Sequence, residues 1–188
     1  MIEKYEEHNK SFNPNNQIPQ VLLDAGATIL DDFFDLYGGT TFKVHKKELG
    51  FSFVLGNYSI NGFIDRVDIN DGVVEIVDYK TGKREVAAKD IHKNLQLGIY
   101  ALAASMLFPG SKIKASLHYL RTGRIKSHEY TEEDLELAKA SLIDRINIIM
   151  NDVNFTPTKN ERVCSFCDHA QSGACATGAV RLRKFNRA

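Results

Sequence analysis

The sequence has little of what a disulfide-stabilised, membrane-spanning or generally basic protein requires. Its three cysteines all lie near the C-terminal end, which is too few and too local for a disulfide framework. No run approaches the roughly 18 apolar residues of a membrane span, and no signal-peptide hydrophobic segment begins the chain. Lys+Arg and Asp+Glu number 24 each, so the net charge is zero and any attraction to nucleic acid must come from a local patch. These absences predict a soluble cytoplasmic protein without a membrane partner.

The length of 188 residues suits one domain with its own core and a short appendage. Residues 1–16 are polar, and we predict a linker there. Residues 17–160 carry the periodic patterns of helices and strands and predict the domain itself. Residues 161–188 hold the cysteines and a basic tail, and they predict a separate C-terminal segment.

The most informative part of the chain is a predicted hairpin within residues 61–83. Two runs rich in β-forming residues, 63–69 and 73–80, flank Asp71-Gly72, and such a dipeptide between β-rich runs favours a tight hairpin turn. A two-residue turn would place Val67 opposite Ile76 and Asp65 opposite Asp78. A three-residue loop would instead set Asp65 opposite Val77.

In the first register, one face of the hairpin is apolar near the turn and then ends in polar residues. Asp65 and Asp78 face each other there, and Lys80 follows on the same face because side chains two apart point the same way. Opposed carboxylates destabilise a sheet, but they are expected where a divalent cation binds between them. The pattern therefore predicts metal-dependent phosphodiester hydrolysis, although two solvated acids at a hairpin end would give the same spacing.

The remaining periodicity predicts an alternation of strands and helices. Predicted helices begin near Ile18, cover residues 88–107, and follow an N-cap at Thr131 with Asp134 at the capping-box position, while further strands are predicted at 42–55, 58–60, 113–120 and 125–130. The apolar face predicted for the helix at 88–107 consists of Leu95, Ile99, Leu102, Ala103 and Met106. The strand–helix–strand order predicts a right-handed crossover, and therefore a mixed sheet.

Three separated motifs resemble a known family. They are Gly-Phe-Ile-Asp65 followed by Arg-Val-Asp, Val-Asp78-Tyr-Lys80-Thr-Gly, and Gln96-Leu-Gly-Ile-Tyr100. In order and spacing they resemble the PD-(D/E)XK nucleases of the RecB type, which include the nuclease domains of RecB- and AddB-like helicase–nucleases and CRISPR-associated exonucleases. The resemblance covers about residues 42–175 and implies an α/β fold, the restriction-endonuclease-like αβββαβ core with a central mixed sheet flanked by helices.

The resemblance also implies roles for individual residues. Asp65 and Asp78, with the backbone carbonyl of Tyr79, would bind Mg²⁺ or Mn²⁺, and Lys80 would act on the attacking water and the phosphate. Glu48 matches a first-strand glutamate that approaches the metal in many such domains, although the simpler interpretation is an exposed strand acid. Gln96 and Tyr100 would border the site and contact the DNA or order the metal-bound water. Apart from the resemblance, Lys83 and Arg84 follow the second strand beside the proposed site, which predicts phosphate contact, although solvated loop charges give the same pattern.

Cys164, Cys167 and Cys175 follow a metal-ligand pattern that lacks one partner. Related domains of the RecB type hold a [4Fe–4S] cluster with three cysteines here and a fourth before the first helix, and this sequence has no such upstream cysteine. The alternatives are a ligand in a longer protein, His169 or an outside group as the fourth ligand, a zinc site, or free thiols.

These observations predict a metal-dependent DNA nuclease, an exonuclease or end-processing domain associated with a helicase in recombination or repair. The rival prediction is a catalytically weak nucleic-acid-binding accessory domain of a larger helicase–nuclease. A site-specific endonuclease is a further alternative, which would also cut closed circular DNA.

Overall fold

The computed structural model describes Lys4, Glu7 and residues 19–185. The predicted linker at residues 1–16 therefore lies outside the described residues, except for Lys4 and Glu7. The described part of the chain forms two compact units, residues 1–144 and 145–188. The domain boundary predicted after residue 160 stays a prediction. None of the described helices is long and apolar enough to cross a membrane.

Helix α1 of the first unit spans Gln20–Tyr37. A single sheet follows, whose five described strands lie side by side in chain order. The strands are β1 (Val44–Leu55), β2 (Tyr58–Asn70), β3 (Val73–Lys80), β4 (Lys112–Tyr119) and β5 (Arg124–Tyr130). β3 and β4 pair in parallel, while the other neighbours pair antiparallel, so the predicted mixed sheet is confirmed.

The β2–β3 hairpin has the predicted two-residue turn. Asp71 and Gly72 have φ values of 49° and 79°, the positive φ that a tight hairpin turn needs and that Gly adopts without strain. Asn70 pairs with Val73, and Val67 pairs with Ile76, in the predicted register. Asp65 and Asp78 lie one position beyond the last pair of this ladder, which is Arg66 with Val77.

The prediction of one α-helix over residues 88–107 is wrong for the first third of that range. A 3₁₀ helix covers Ala88–Lys93, and the α-helix α2 begins only at Leu95 and ends at Leu107. The break lies at Asn94, whose side-chain oxygen accepts a hydrogen bond from Leu97 N at 3.0 Å. Asparagine favours this capping conformation over a helix interior because its side chain competes for backbone N–H groups.

The apolar face predicted for this helix is also partly wrong. Met106 is 54% exposed, whereas Tyr100 and Ala101 are buried. The buried residues of α2 are Leu97, Gly98, Tyr100, Ala101, Leu102, Ala103 and Ala104. Because this helix is apolar on most sides, periodicity alone does not identify the face that packs on the sheet. Helix α3 (Glu132–Asn151) follows, and a Cβ on Gly98 would lie 2.9 Å from Ala138 Cβ.

The predicted capping box of α3 is confirmed. Asp134 N donates to Thr131 Oγ1 at 3.2 Å, and Asp134 Oδ2 accepts from Thr131 N at 3.0 Å. In the second unit, three short helices follow the end of α3. They are α4 (Glu161–Cys164), α5 (Asp168–Gln171) and α6 (Ala176–Phe185).

Candidate active site

The candidate site lies where β2 and β3 separate. The ladder between them ends at Arg66 and Val77, while β2 continues beside β1 and β3 continues beside β4. In this fork, Tyr79 N donates to Asp65 Oδ2 at 2.9 Å. The N–H and C=O of one strand residue point to the same side, so the Tyr79 carbonyl faces the fork together with its amide.

Asp78 is a buried acid at the base of this fork. The residue is 2% exposed, and its Oδ2 lies 2.6 Å from Lys80 Nζ. Burial raises the pKa of the Asp78 carboxyl, the Lys80 ammonium opposes that shift, and the nearby Asp65 carboxylate adds to it. The fork therefore holds two carboxylates that repel each other and one cation that offsets part of the cost.

Lys80 connects the carboxylates to helix α2. Its Nζ donates to Gln96 Oε1 at 2.7 Å, and Gln96 Nε2 donates to Tyr100 OH at 3.0 Å. Burial raises the pKa of the Tyr100 hydroxyl, as do the charges of Asp78 and Asp65. The structure thus places Asp78, Lys80, Gln96 and Tyr100 in one chain of polar contacts, because Gln96 and Tyr100 lie one helical turn apart.

Glu48 lies at the opening of the fork on strand β1. It has a φ of 49°, which is strained for a residue with a side chain, and it is exposed. An open pocket of about 510 Å³ is lined by Lys47, Glu48, Asp65, Arg66 and Tyr79. Glu48 thus shares a pocket with Asp65, which keeps it as a candidate ligand.

Lys83 and Arg84 are exposed in the loop that follows β3. The loop is fastened on both sides of them: Arg121 Nε donates to Thr81 O at 2.6 Å, and Val86 N donates to Tyr119 OH at 2.9 Å. Their part in DNA contact stays a prediction.

A second polar cluster, which the sequence did not reveal, supports the fork. Arg66 donates to the Tyr79 hydroxyl, forms an ion pair with Asp68 at 3.0 Å, and places its guanidinium 4.4 Å from the Phe42 ring centre. Arg66 and Tyr79 alternate along their strands with Asp65 and Asp78, so they project to the other face. The alternation of these residues is visible in the sequence. The contact of Arg66 with Tyr79 is not, because it depends on the register in which β2 and β3 pair.

The donors in the fork fit a hard divalent cation. Asp65, Asp78 and the Tyr79 carbonyl all offer oxygen, which Mg²⁺ and Mn²⁺ prefer. Burial and Asp65 both work against an ionised Asp78, and a cation would favour it. Among the described residues, no three or more His, Cys, Asp or Glu side chains form a metal-binding group, so this site would depend on two carboxylates and a backbone carbonyl.

The cysteines do not fit a shared metal or cluster. Cys164 is buried, Cys167 and Cys175 are partly exposed, and all three are free thiols. Cys175 Sγ accepts a hydrogen bond from Gly178 N at 3.2 Å. No metal-binding group that includes these thiols or His169 forms within the described part of the chain.

Comparisons with known proteins show the family of this chain. The model of the PD-(D/E)XK nuclease superfamily matches residues 5–172. The Gene 69 protein of Mycobacterium phage L5 is 28% identical over 126 residues, covering 64% of this chain and 41% of the relative. The Gene 69 protein of Mycobacterium phage D29 is 27% identical over 131 residues, covering 66% and 46%. The chain therefore spans less than half of the length of these curated relatives.

A solved structure shares the fold. The crystal structure of a candidate exonuclease from Eubacterium rectale matches with a TM-score of 0.56 and 15% identity, over 91% of this chain and 69% of that one. This likeness confirms the predicted α/β fold with a central mixed sheet flanked by helices.

Proposed function

The chain belongs to the PD-(D/E)XK nuclease superfamily, and from that premise we propose that it hydrolyses phosphodiester bonds of DNA in a reaction that requires Mg²⁺ or Mn²⁺. The observation that carries the proposal is the contact of Lys80 with buried Asp78, beside Asp65. Asp78 is buried beside a second carboxylate that raises its pKa, and such an arrangement costs stability when no cation is bound. Binding a divalent cation that contacts a phosphate would account for the two adjacent carboxylates.

Asp65, Asp78 and the Tyr79 carbonyl would hold the ion. A bound Mg²⁺ or Mn²⁺ supplies Lewis acidity to the phosphate and makes a coordinated water a stronger nucleophile. The protein's part is to fix the donors: Tyr79 N holds Asp65 Oδ2, and Lys80 Nζ holds Asp78 Oδ2. Glu48, in the same pocket as Asp65, is proposed as an additional ligand.

Lys80 would position the attacking water and stabilise negative charge on the phosphate. Its side chain is 33% exposed, so the ammonium can reach a substrate while it contacts Asp78. Gln96 accepts one of its hydrogen bonds and is itself held by Tyr100. Gln96 and Tyr100 would thus orient the Lys80 ammonium, in addition to making the DNA contact predicted for them.

Two observations bear on the finer function. The matched solved structure is described as a candidate exonuclease, which favours activity on DNA ends. The RecB-type motifs favour association with a helicase, in the same or another chain. Against turnover stands the sparse ligand set, two carboxylates without a third grouped acidic or histidine side chain among the described residues, which favours the accessory-domain alternative.

A cleavage assay separates these possibilities. Linear single-stranded, linear double-stranded and closed circular DNA are incubated with the protein and Mg²⁺, Mn²⁺ or EDTA. We expect metal-dependent loss of linear DNA, no cutting of closed circles, and no cleavage by Asp78→Asn. The control is Asp71→Asn, which removes one charge at the turn of the same hairpin, where asparagine tolerates the positive φ. Equal cleavage by parent and Asp78→Asn would refute the site, and no cleavage by either would favour the accessory domain.

A further inference from the structure

Arg124 lies on the same face of the sheet as Lys80. Lys80 on β3 pairs with Tyr119 on β4, and Tyr119 pairs with Arg124 on β5. Residues that are paired across neighbouring strands point to the same face, so these three side chains form one row across the sheet. Neighbouring strands lie about 4.8 Å apart, which places the Cα of Arg124 about 10 Å from that of Lys80. Phosphates of one DNA strand follow each other at about 3.4 Å along the helix axis, so both residues can contact one strand at the same time.

A single carboxylate holds Arg124 in this row without cancelling all of the positive charge around it. Glu85 Oε1 lies 3.5 Å from Arg124 Nε, and Glu85 Oε2 lies 2.9 Å from Lys126 Nζ. Hydrogen bonds from Lys126 and then from Thr122 lower the pKa of the Glu85 carboxyl, so it carries one negative charge against two positive ones. The Arg124 side chain is 67% exposed and can therefore bind a second anion while it contacts Glu85.

Arg121 brings a further cation to the same end of the sheet. Leu120 N donates to Lys80 O at 3.0 Å, and Arg121 Nε donates to Thr81 O at 2.6 Å. The turn between β4 and β5 is thus bonded directly to the backbone of the candidate site. Arg121 is exposed, and a guanidinium has five donors, so the groups that do not hold Thr81 can bind a phosphate.

Helix α1 fixes the turn that carries both arginines. Tyr37 OH donates to Gly123 O at 3.0 Å. Gly123 has a φ of 64°, which glycine adopts without strain, and a Cβ there would lie 2.5 Å from Leu36 Cδ1. The turn is therefore held by α1 and by the loop after β3, which reduces the conformational entropy that Arg121 and Arg124 lose on binding an anion.

The concentration of cations around Lys80 is local. The whole chain has equal numbers of basic and acidic residues, 24 of each, whereas residues 80–86 and 119–126 together contain six Lys or Arg residues and one acid, Glu85. The cations are Lys80, Lys83, Arg84, Arg121, Arg124 and Lys126. A basic patch on an otherwise neutral chain fits the phosphate backbone of a nucleic acid.

We propose that Arg121 and Arg124 bind backbone phosphates of the DNA strand whose scissile phosphate lies at Lys80, so that this strand crosses the sheet from β3 towards β5. The inference rests on the proposed function, since it takes the reacting phosphate to bind beside Asp78 and Lys80. Guanidinium groups bind phosphate through paired hydrogen bonds, and such contacts position the DNA without reading a base. The two arginines therefore act on single-stranded and double-stranded DNA alike.

Neutral phosphates test the contacts one at a time. Fluorescent oligonucleotides, unmodified or with one methylphosphonate linkage at successive positions, are titrated in EDTA with the parent, Arg121→Gln, Arg124→Gln and Arg124→Lys, from about 50 to 200 mM salt. The same series is measured as KM and kcat in Mg²⁺. The control is Lys112→Gln, an exposed lysine at the other end of β4, about 23 Å along the strand from Tyr119.

We expect both glutamine variants to bind unmodified DNA more weakly than the parent. The slope of log K against log salt should be smaller by about 0.9 on duplex DNA and about 0.7 on single strands for each lost contact. The parent should lose affinity at the neutralised linkage that Arg124 contacts, and Arg124→Gln should lose nothing further there. Arg124→Lys should keep the salt slope because it keeps the charge, and Lys112→Gln should match the parent. The loss should appear in KM more than in kcat, because neither arginine contacts the reacting phosphate.

Salt slopes and methylphosphonate profiles that are the same in the parent and both glutamine variants would overturn the inference and leave the nuclease proposal standing. An equal loss in Lys112→Gln would show a diffuse effect of charge and would also overturn it. A loss that is uniform at every linkage, with a lower unfolding temperature, would show that the arginine only holds the loop, which overturns its phosphate contact as well. If the parent neither binds nor cleaves any DNA, the proposed function itself fails.

Discussion

The backbone amide of Tyr79 donates to Asp65 Oδ2 at 2.9 Å, one position beyond the last backbone pair of the β2–β3 ladder. A carboxylate thus takes the place that a strand carbonyl would occupy if the ladder continued. The exchange satisfies the Tyr79 amide, fixes the Asp65 side chain, and allows the strands to separate. The fork and the carboxylate in it are therefore one structural feature.

Replacing Asp78 with Asn should stabilise the metal-free protein at neutral pH. The folded-state pKa of Asp78 is raised above its ordinary value of 3.8, first by burial. Stability that depends on the protonated form is therefore present at low pH and is lost as pH rises through the folded pKa. We expect Asp78→Asn to unfold at a higher temperature than the parent at pH 7 in EDTA, with the difference disappearing below about pH 4. A lower unfolding temperature at pH 7 would contradict this.

Lys80→Ala should lower the maximal rate by about 10²–10³-fold, the usual cost of removing one donor that stabilises developing charge. The Mg²⁺ concentration at half-maximal rate should change much less than the maximal rate, because Lys80 both holds Asp78 Oδ2 in place and competes with the ion for it, and these two effects oppose each other. The matched control is Lys83→Ala in the following loop. We expect this variant to have a higher KM for DNA and a nearly unchanged kcat. A large shift of the Mg²⁺ midpoint at an unchanged maximal rate would contradict the role given to Lys80.

Tyr100→Phe tests whether Gln96 aims the Lys80 ammonium. The substitution removes the hydroxyl that accepts from Gln96 Nε2. It leaves the aromatic ring, whose centre lies 5.9 Å from the centre of the Phe51 ring. We expect kcat to fall by about 10–100-fold, as for other supporting hydrogen bonds, with an unchanged unfolding temperature. In a Lys80→Ala background the same substitution should have no further effect on kcat. An equal loss in both backgrounds would show that Tyr100 acts independently of Lys80.

The sequence revealed the hairpin and its polar end but not the features that depend on distant contacts. Asp71-Gly72 and the alternation along both strands specify the register, so the meeting of Asp65 with Asp78 could be predicted. The break at Asn94 could not, because the apolar pattern continues through it and only the cap on Leu97 N marks the helix start. The positive φ of Glu48 likewise has no local signal, since glutamate does not favour that conformation.

His118→Phe should reduce the loss of folding stability that occurs as pH falls. His118 is 1% exposed, neither ring nitrogen has a hydrogen-bond partner among the described residues, and the rings of Phe33, Tyr37 and Tyr79 lie 5.0–5.5 Å away. Burial, then the Arg66 charge, lowers the pKa of His118 below its ordinary value of 6.5. Below pH 6.5 His118 binds a proton in the unfolded chain but not in the folded chain. The free energy of unfolding therefore decreases as pH falls.

We therefore expect a smaller drop in unfolding temperature between pH 7 and pH 5 for His118→Phe than for the parent. Stability at pH 7 should be equal or higher, because phenylalanine buries no polar group. The control is His45→Phe, which makes the same replacement at an exposed histidine and leaves the buried His118 in place. The same drop in His118→Phe and the parent would contradict the prediction.

The cysteines should not hold a stable iron–sulfur cluster in this chain. Three thiolates cannot close a four-ligand site alone, and Cys175 Sγ is engaged by the Gly178 amide. Protein purified anaerobically should contain iron and sulfide well below stoichiometry, and Cys175→Ser should cleave DNA at the parent rate, since the proposed cleavage site is built from β2, β3 and α2. A brown protein with stoichiometric iron and an oxygen-stable visible spectrum would show that a fourth ligand exists. His169→Ala would then be the first variant to make, because His169 lies between Cys167 and Cys175 and its carbonyl already accepts from Cys175 N at 2.8 Å.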